Sequence, residues 1–282
     1  MKKKTSLIIL VIVLICWIFL KNPQKAKNIE GELYCAFSNK IYKIDLDRLK
    51  SNVLYEEEGS FIDQISFFKK DVFILQKKNK EIYKFNILEK DSDFICEGKK
   101  PIYVREANSI FYYNKEALYR RSFESNVEEK ITDDIYIFAP KELKSIYYDE
   151  PPVQISSQEI VFCNKDQKIV IYNFASKDKR ILDFKGYHVW SGYGDMLVCK
   201  KNDNFYLLDI VTGNINRIKI TPRWNVIFVK GYNCLIYSSV RFFSLSEAED
   251  LFVYWIEEKK EEKLISNCYV SSGIYLGKKE GE

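Results

Sequence analysis

The chain has a single histidine among its 282 residues, and imidazole is the one side chain that, unperturbed, changes charge between about pH 5 and 8. His188 stands in Gly186-Tyr187-His188-Val189-Trp190, and a second aromatic and basic stretch follows at Thr221-Pro222-Arg223-Trp224. Acid–base work needs an imidazole held beside a nucleophile or a second acid, and the sequence marks no such partner for His188. Tryptophan and arginine are common anchors of binding surfaces. His188, Trp190, Arg223 and Trp224 are therefore the candidate ligand-binding residues. The competing expectation is that the two tryptophans fill a structural wedge and that the histidine is structural too.

Other chemistry is thinly supported. Seven cysteines occur without any Cys-x-x-Cys pair, and with one histidine a zinc site is not expected. The acidic, tyrosine-rich stretch from Asp133 through Asp149-Glu150-Pro151-Pro152 lacks the spacing of a calcium loop. No Gly-rich phosphate loop, Asp-box or quinone-binding pattern is present. The sequence calls for no cofactor, no metal and no catalytic residue.

The elements that must position these residues are repeated. A short run of the form Ile-Tyr-x-apolar-Asp-apolar occurs as Ile41-Tyr42-Lys43-Ile44-Asp45-Leu46 and as Ile82-Tyr83-Lys84-Phe85-Asn86-Ile87. It recurs around Ser122, Asn173, Asp209 and Glu257, so the marked polar position advances by 41, 36, 51, 36 and 48 residues. In the first five units an apolar run ends ten residues before that position, as Leu33-Tyr34-Cys35 and Leu197-Val198-Cys199 do. Runs of four to six residues rich in Val, Ile, Tyr and Phe and bounded by polar turns are strands. About four of them per period of about 40 residues specify an all-β propeller.

Six four-stranded blades are expected over residues 29–282. In the second blade, strand A is Asp63 to Phe68, B is Asp71 to Gln76, C is Glu81 to Ile87 and D is Asp93 to Cys96. The chain begins at strand B of the first blade, Gly31 to Phe37. Asn267-Cys268-Tyr269-Val270-Ser271 is expected to supply the missing strand, with Ile274-Tyr275-Leu276 as an extra strand or the start of a truncated seventh blade. Two insertions lengthen the chain, Thr132 to Glu159 before the fourth blade and Ser238 to Asp250 between strands B and C of the sixth. The repeated polar residues are expected to cap turns. Cys35, Cys163 and Cys199 fall at one repeat position in three blades, which should hold their Cα atoms beyond the ~7 Å that a disulfide spans, so reduced thiols are expected.

Tyr254-Trp255-Ile256-Glu257 is similar to the YWTD tetrapeptide, and Tyr206-Leu207-Leu208-Asp209-Ile210-Val211-Thr212-Gly213 looks like the strand and Thr-Gly turn of TolB-like repeats. As a pattern, residues 31 to 276 resemble the propellers of the low-density-lipoprotein-receptor YWTD type and their bacterial relatives. The resemblance implies an extracytoplasmic six-bladed domain that binds a protein or a ligand. It carries over no residue role, because the glycine that usually follows the Asp is missing from five of the six units.

Residues 1–28 form a separate segment. The apolar run from Leu7 to Leu20 follows Lys2-Lys3-Lys4 and would be about 21 Å long as a helix, against a bilayer core of about 30 Å. Lys21-Asn22-Pro23-Gln24-Lys25 offers no small-residue pair for cleavage. A short uncleaved transmembrane or signal-anchor helix over residues 5–20 is expected, single-pass, with the domain outside the cytoplasm. Cys16 is preceded by Ile15, where a lipoprotein box requires a small residue. The formal charge of +4 comes from this segment. It holds six of the 44 basic residues and no acid, which leaves 38 basic against 40 acidic residues in the domain. A nearly neutral domain has no footprint for nucleic acid. The function expected is a membrane-anchored, non-enzymatic recognition or scaffold domain with a protein or small ligand at the ring mouth. The alternative is a propeller hydrolase, lyase or cyclase, for which two carboxylates would have to meet His188 in one pocket.

Overall fold

The computed structural model describes residues 29–136, 151–222, 225–240, 249–266, 268 and 272–277. The expected N-terminal anchor lies outside them, as do Arg223 and Trp224. The chain opens with β1 (Glu32–Phe37), β2 (Lys40–Asp45) and β3 (Lys50–Glu56). Blade two is β4 (Ile62–Lys69), β5 (Val72–Lys77), β6 (Glu81–Asn86) and β7 (Asp91–Glu97). Blade three is β8 (Lys99–Val104), β9 (Ser109–Asn114), β10 (Ala117–Ser122) and β11 (Glu128–Thr132). Blade four is β12 (Val153–Gln154), β13 (Glu159–Cys163), β14 (Ile169–Asn173) and β15 (Lys179–Leu182). Blade five is β16 (His188–Tyr193), β17 (Met196–Lys201), β18 (Asn204–Asp209) and β19 (Ile215–Ile218). Blade six is β20 (Val226–Val229), β21 (Cys234–Val240), β22 (Glu249–Trp255) and β23 (Lys260–Ser266), and β24 (Ser272–Leu276) ends the described chain.

These strands make six antiparallel four-stranded sheets, the sixfold propeller that the repeat specifies. The innermost strands β24, β4, β8, β12, β16 and β20 each touch the next around the ring, and β20 returns to β24. In two blades a serine laces this inner ring: Ser66 Oγ accepts the Tyr103 N–H at 2.8 Å, and Ser191 Oγ accepts the Phe228 N–H at 3.2 Å. Burial follows radial position. Strand B is covered on both faces by neighbouring blades, so β5 reads as the solid apolar run Val72-Phe73-Ile74-Leu75, all buried. Strand D is outermost, and most of β3 and β7 is exposed.

The core is six wedges between blades. Alternate residues of one strand serve two of them, because successive side chains point to opposite faces. Phe73 and Leu75 pack with Ala36 and Ile41 of blade one, whereas Ile74 packs with Ile110 and Tyr112 of blade three.

Ring closure differs from the sequence expectation. The strand that completes blade one is β24, with Tyr275 opposite Leu33 and Ser272 opposite Ala36. Of Asn267 to Ser271, expected as that strand, only Cys268 is among the described residues, and its N–H donates to the Glu249 carbonyl at 3.0 Å. Ile274-Tyr275-Leu276 therefore closes the ring and begins no seventh blade. Either route removes the free sheet edge.

The marked polar position also needs one correction. Asp45, Asn86, Ser122, Asn173 and Asp209 stand opposite Glu32, Val72, Ser109, Glu159 and Met196, the first residues of their B strands. In blade six the residue opposite the first B-strand residue, Cys234, is Trp255, so Glu257 is two residues out of register. The hairpin β21–β22 is longer than the others and breaks the spacing used to align it: Ser238, Ser239 and Val240 pair with Leu251, Asp250 and Glu249. The insertion expected from Ser238 to Asp250 is thus partly strand.

With that register the C–D turns agree in all six blades. The fourth residue after the marked position has a left-handed backbone each time: Leu49 (φ 52°), Lys90 (54°), Asn126 (55°), Lys177 (65°), Gly213 (73°) and Lys259 (51°). Five turns are capped as expected. Asp45 accepts the Arg48 N–H at 3.0 Å, Asn86 that of Leu88 at 3.0 Å, Ser122 that of Glu124 at 3.2 Å, Asn173 that of Ala175 at 3.0 Å and Asp209 that of Val211 at 2.9 Å. Trp255 has no such side chain. It is buried between blades six and one, and its Nε1–H reaches Glu262 at 3.3 Å.

Candidate functional site

The pairing places the A–B and C–D turns at one end of every blade. The B–C turns and the D-to-A connections lie at the other, here called the cap face and the crossover face respectively. His188 opens β16 on the crossover face, opposite Lys200. Its ring lies 5.1 Å from that of Tyr136, whose backbone N–H is held by the Cys163 carbonyl at 2.8 Å. Burial first, and then the neighbouring Lys200 ammonium, lowers the His188 pKa below the ordinary value of 6.5. The imidazole is thereby kept neutral over most of the physiological range.

Trp190 leaves this group. A bulge between Val189 and Ser191 interrupts the pairing with β17, and Trp190, 8% exposed, enters the wedge between blades five and six. There it meets Phe205 edge-to-face at 5.1 Å. Lys200 Nζ lies 5.3 Å from the Trp190 ring and 5.8 Å from that of Phe205. Trp190 thus acts as a wedge side chain that carries a lysine on its ring. Arg223 and Trp224 lie outside the described residues, so their place beside His188 stays an expectation.

Lys201, which sequence reading passed over, adds to the patch together with Tyr187 and Gly186. Lys201 Nζ sits 4.3 Å over the Tyr187 ring and donates to the Lys185 carbonyl at 3.3 Å. Tyr187 is held edge-on by Tyr206 at 5.4 Å, and its carbonyl accepts the Cys163 thiol at 3.5 Å. Gly186, at φ 77°, lets the chain turn in front of Gln167, whose carbonyl accepts its N–H at 2.9 Å. Lys200 and Lys201 thus each lie over an aromatic ring, but on opposite faces of blade five: Lys201 with Tyr187 toward blade four, and Lys200 with Trp190 and Phe205 toward blade six. A cation over an aromatic face keeps its charge while its stem is fixed, which suits contact with an anionic group. The one legible signal was the Lys200-Lys201 pair directly after an apolar run.

The acids of the first insertion are committed to the fold where they are described. Asp133 pairs with Lys130 at 3.1 Å, and Asp134 accepts the Lys165 N–H at 3.1 Å. Across the ring, Asp63 forms a second polar group that sequence reading missed. Burial raises its pKa, against the lowering effect of Lys100 and Lys78. Gln76, 4% exposed, donates to Asp63 at 3.3 Å and accepts the Lys100 N–H at 2.5 Å, fastening blade two to blade three. Among the described residues no group of three or more His, Cys, Asp and Glu side chains could hold a metal ion.

The described cysteines are all free and buried, though not all in separate wedges. Cys163 sits one position beyond the slot of Cys35 and Cys199, which turns it toward blade five. Cys163 and Cys199 share the wedge between blades four and five, and Cys35, Cys234 and Cys268 share the wedge between six and one. Burial holds four of them as thiols. It pushes Cys96 up to about 11 and Cys234 and Cys268 up to about 12, and burial followed by the nearby Cys268 raises Cys35 well above its ordinary value.

No protein-family model matches the chain, and no curated protein matches it. A chain in the crystal structure of a nidogen/laminin complex is similar in fold. It superposes with a TM-score of 0.63 at 11% sequence identity, over 87% of this chain and 98% of that one. At such identity the likeness shows the propeller fold alone.

Proposed function

We propose that this protein is a membrane-anchored recognition or scaffold domain that holds a partner protein, through an acidic segment, against the crossover face of blades four and five. The observation that carries the reading is Lys201, held over the Tyr187 ring at the wedge between blades four and five that Tyr136, the ring neighbour of His188, also lines. The similar fold in a complex of two proteins, nidogen and laminin, supports protein over small-molecule binding. On this reading Arg223 and Trp224 add to the patch from the connection before β20, and the anchor over residues 5–20 holds the domain outside the cytoplasm. The neighbours Tyr136 and Lys200 of His188 favour binding over acid–base chemistry. The test uses the full-length protein in its own membranes with a photoreactive amino acid at position 187. A discrete protein adduct is expected, and it should disappear when Lys201→Glu is added. An adduct of undiminished yield in that variant, or no protein adduct at all, overturns the reading.

A further inference from the structure

The described chain starts on the cap face. Ile29 is buried in the wedge between blades six and one. The Glu30 N–H is held by the Tyr232 hydroxyl at 2.8 Å and its carbonyl by the Tyr275 hydroxyl at 2.7 Å. The Gly31 carbonyl accepts the Leu46 N–H at 3.0 Å, beside the first C–D turn. Between Leu20, where the apolar run ends, and Ile29 stand eight residues, which span at most about 28 Å even if fully extended. That tether is about as long as a small domain is wide, and it is fastened to one face only.

The same face carries exposed apolar side chains that folding does not require. Leu49, Leu88, Val127 and Val211 are 42%, 73%, 60% and 69% exposed, in the C–D turns of blades one, two, three and five. Tyr193, 42% exposed, ends β16 on this face with the Lys230 ammonium 5.4 Å from its ring. Among the described residues the crossover face has one large exposed apolar side chain, Phe61, and the others lie on outer strands. Leu49 sits at a left-handed position where Gly or Asn is the ordinary choice. Leu88 and Val211 each occupy the residue whose N–H the turn cap holds, a place Ala175 fills in blade four.

We infer that the cap face rests on the bilayer that holds the N-terminal segment, with the apolar turn tips of blades one, two, three and five in the headgroup layer. The inference rests on the anchor reading and explains why the binding patch is on the opposite face. Asp47 stands beside Arg48 and Glu89 beside Lys90 on these turns, so the contact is apolar and neutral lipid suffices. Shallow aliphatic insertion adds to a short anchor as a second membrane signal does to a single lipid chain.

The test places a diazirine amino acid at position 88 or 211 of the full-length protein in phosphatidylcholine vesicles, with position 61 as the control. Lipid adducts are expected several-fold above the control, and unchanged at high salt. Vesicles that float without the protein overturn the anchor reading and this inference together. Co-flotation with adduct yields at 88 and 211 no higher than at 61, or with yields that collapse in salt, overturns the inference and leaves the anchor standing.

Discussion

The two faces of the ring are built by different rules. On the cap face six C–D turns share one backbone, with a left-handed residue at the same place, and five share one cap. On the crossover face the connections run from the single residue Gly98 to the stretch 133–152; lysines over rings recur there in blade two, Lys77 with Tyr83 and Lys78 with Phe61, but His188 and Tyr136 have no counterparts at their positions. A local rule repeated six times leaves little room for a special residue. A face of unequal connections can gather Tyr136, Tyr187, His188 and Lys201 in one place and nowhere else, as loops on a rigid scaffold commonly do.

If closure binds both faces into one unit, removing it should have the largest effect of any change. Deleting residues 272–282 takes away β24, exposes the β1 edge and uncovers Leu33 and Cys35. Cooperative unfolding is expected to vanish, not to shift, in a urea titration of the full-length protein in detergent. A truncated protein with an unchanged midpoint would mean that the two faces are held by blades acting singly.

The next test separates the wedge from the patch. Trp190→Ala empties a packed site between blades five and six and is expected to cost about 3–5 kcal/mol, the range for a buried aromatic. His188→Asn, on the patch itself, should leave stability at pH 8 within about 0.5 kcal/mol. Its effect lies in the pH profile. The folded His188 has the lower pKa, so the unfolded chain takes up a proton first as pH falls through 6.5. Wild-type stability should decline from there and level off below the folded pKa, and His188→Asn should remove that decline. Thermal melts across pH 8 to 5 measure it, and an identical slope in both proteins would show that His188 is not held neutral.

These effects map onto what could be read from the chain. The B strands were legible because burial on both faces demands Val, Ile, Leu and Phe runs, the C strands because the Ile-Tyr-x-apolar pattern recurs, and the caps because an Asx or Ser ends five of the six C strands. Closure was not, since Cys268-Tyr269-Val270 and Ile274-Tyr275-Leu276 look equally strand-like and only pairing with a strand some 240 residues away decides between them. The sixth register failed at a long hairpin, where an acid at Glu257 imitated the missing cap. That Cys163 and Cys199 share a wedge was hidden by parity, because one residue of shift turns a side chain from one wedge to the next. The patch was half legible: His188 and Trp190 are neighbours in sequence, yet the bulge sends them to different surroundings.

The smallest effect tests the uniformity of the cap face itself. A left-handed backbone at a residue with a Cβ costs about 1–2 kcal/mol relative to the right-handed regions. Five of the six C–D turns carry that cost, and only Gly213 avoids it. Lys90 makes a suitable probe, since its turn is already capped through Leu88 and Glu89 by Asn86. Lys90→Gly removes the clash but frees the unfolded chain, which takes back part of the gain, so a net stabilisation of about 0.5–1 kcal/mol is expected. The reverse change, Gly213→Lys, should lose a similar amount, because its turn has the same cap from Asp209 to Val211 and Thr212. If the two substitutions have opposite signs and like size, the turns are one unit copied around the ring. Should Lys90→Gly destabilise instead, the lysine would be contributing through its side chain, and the cap face would be less uniform than its backbone.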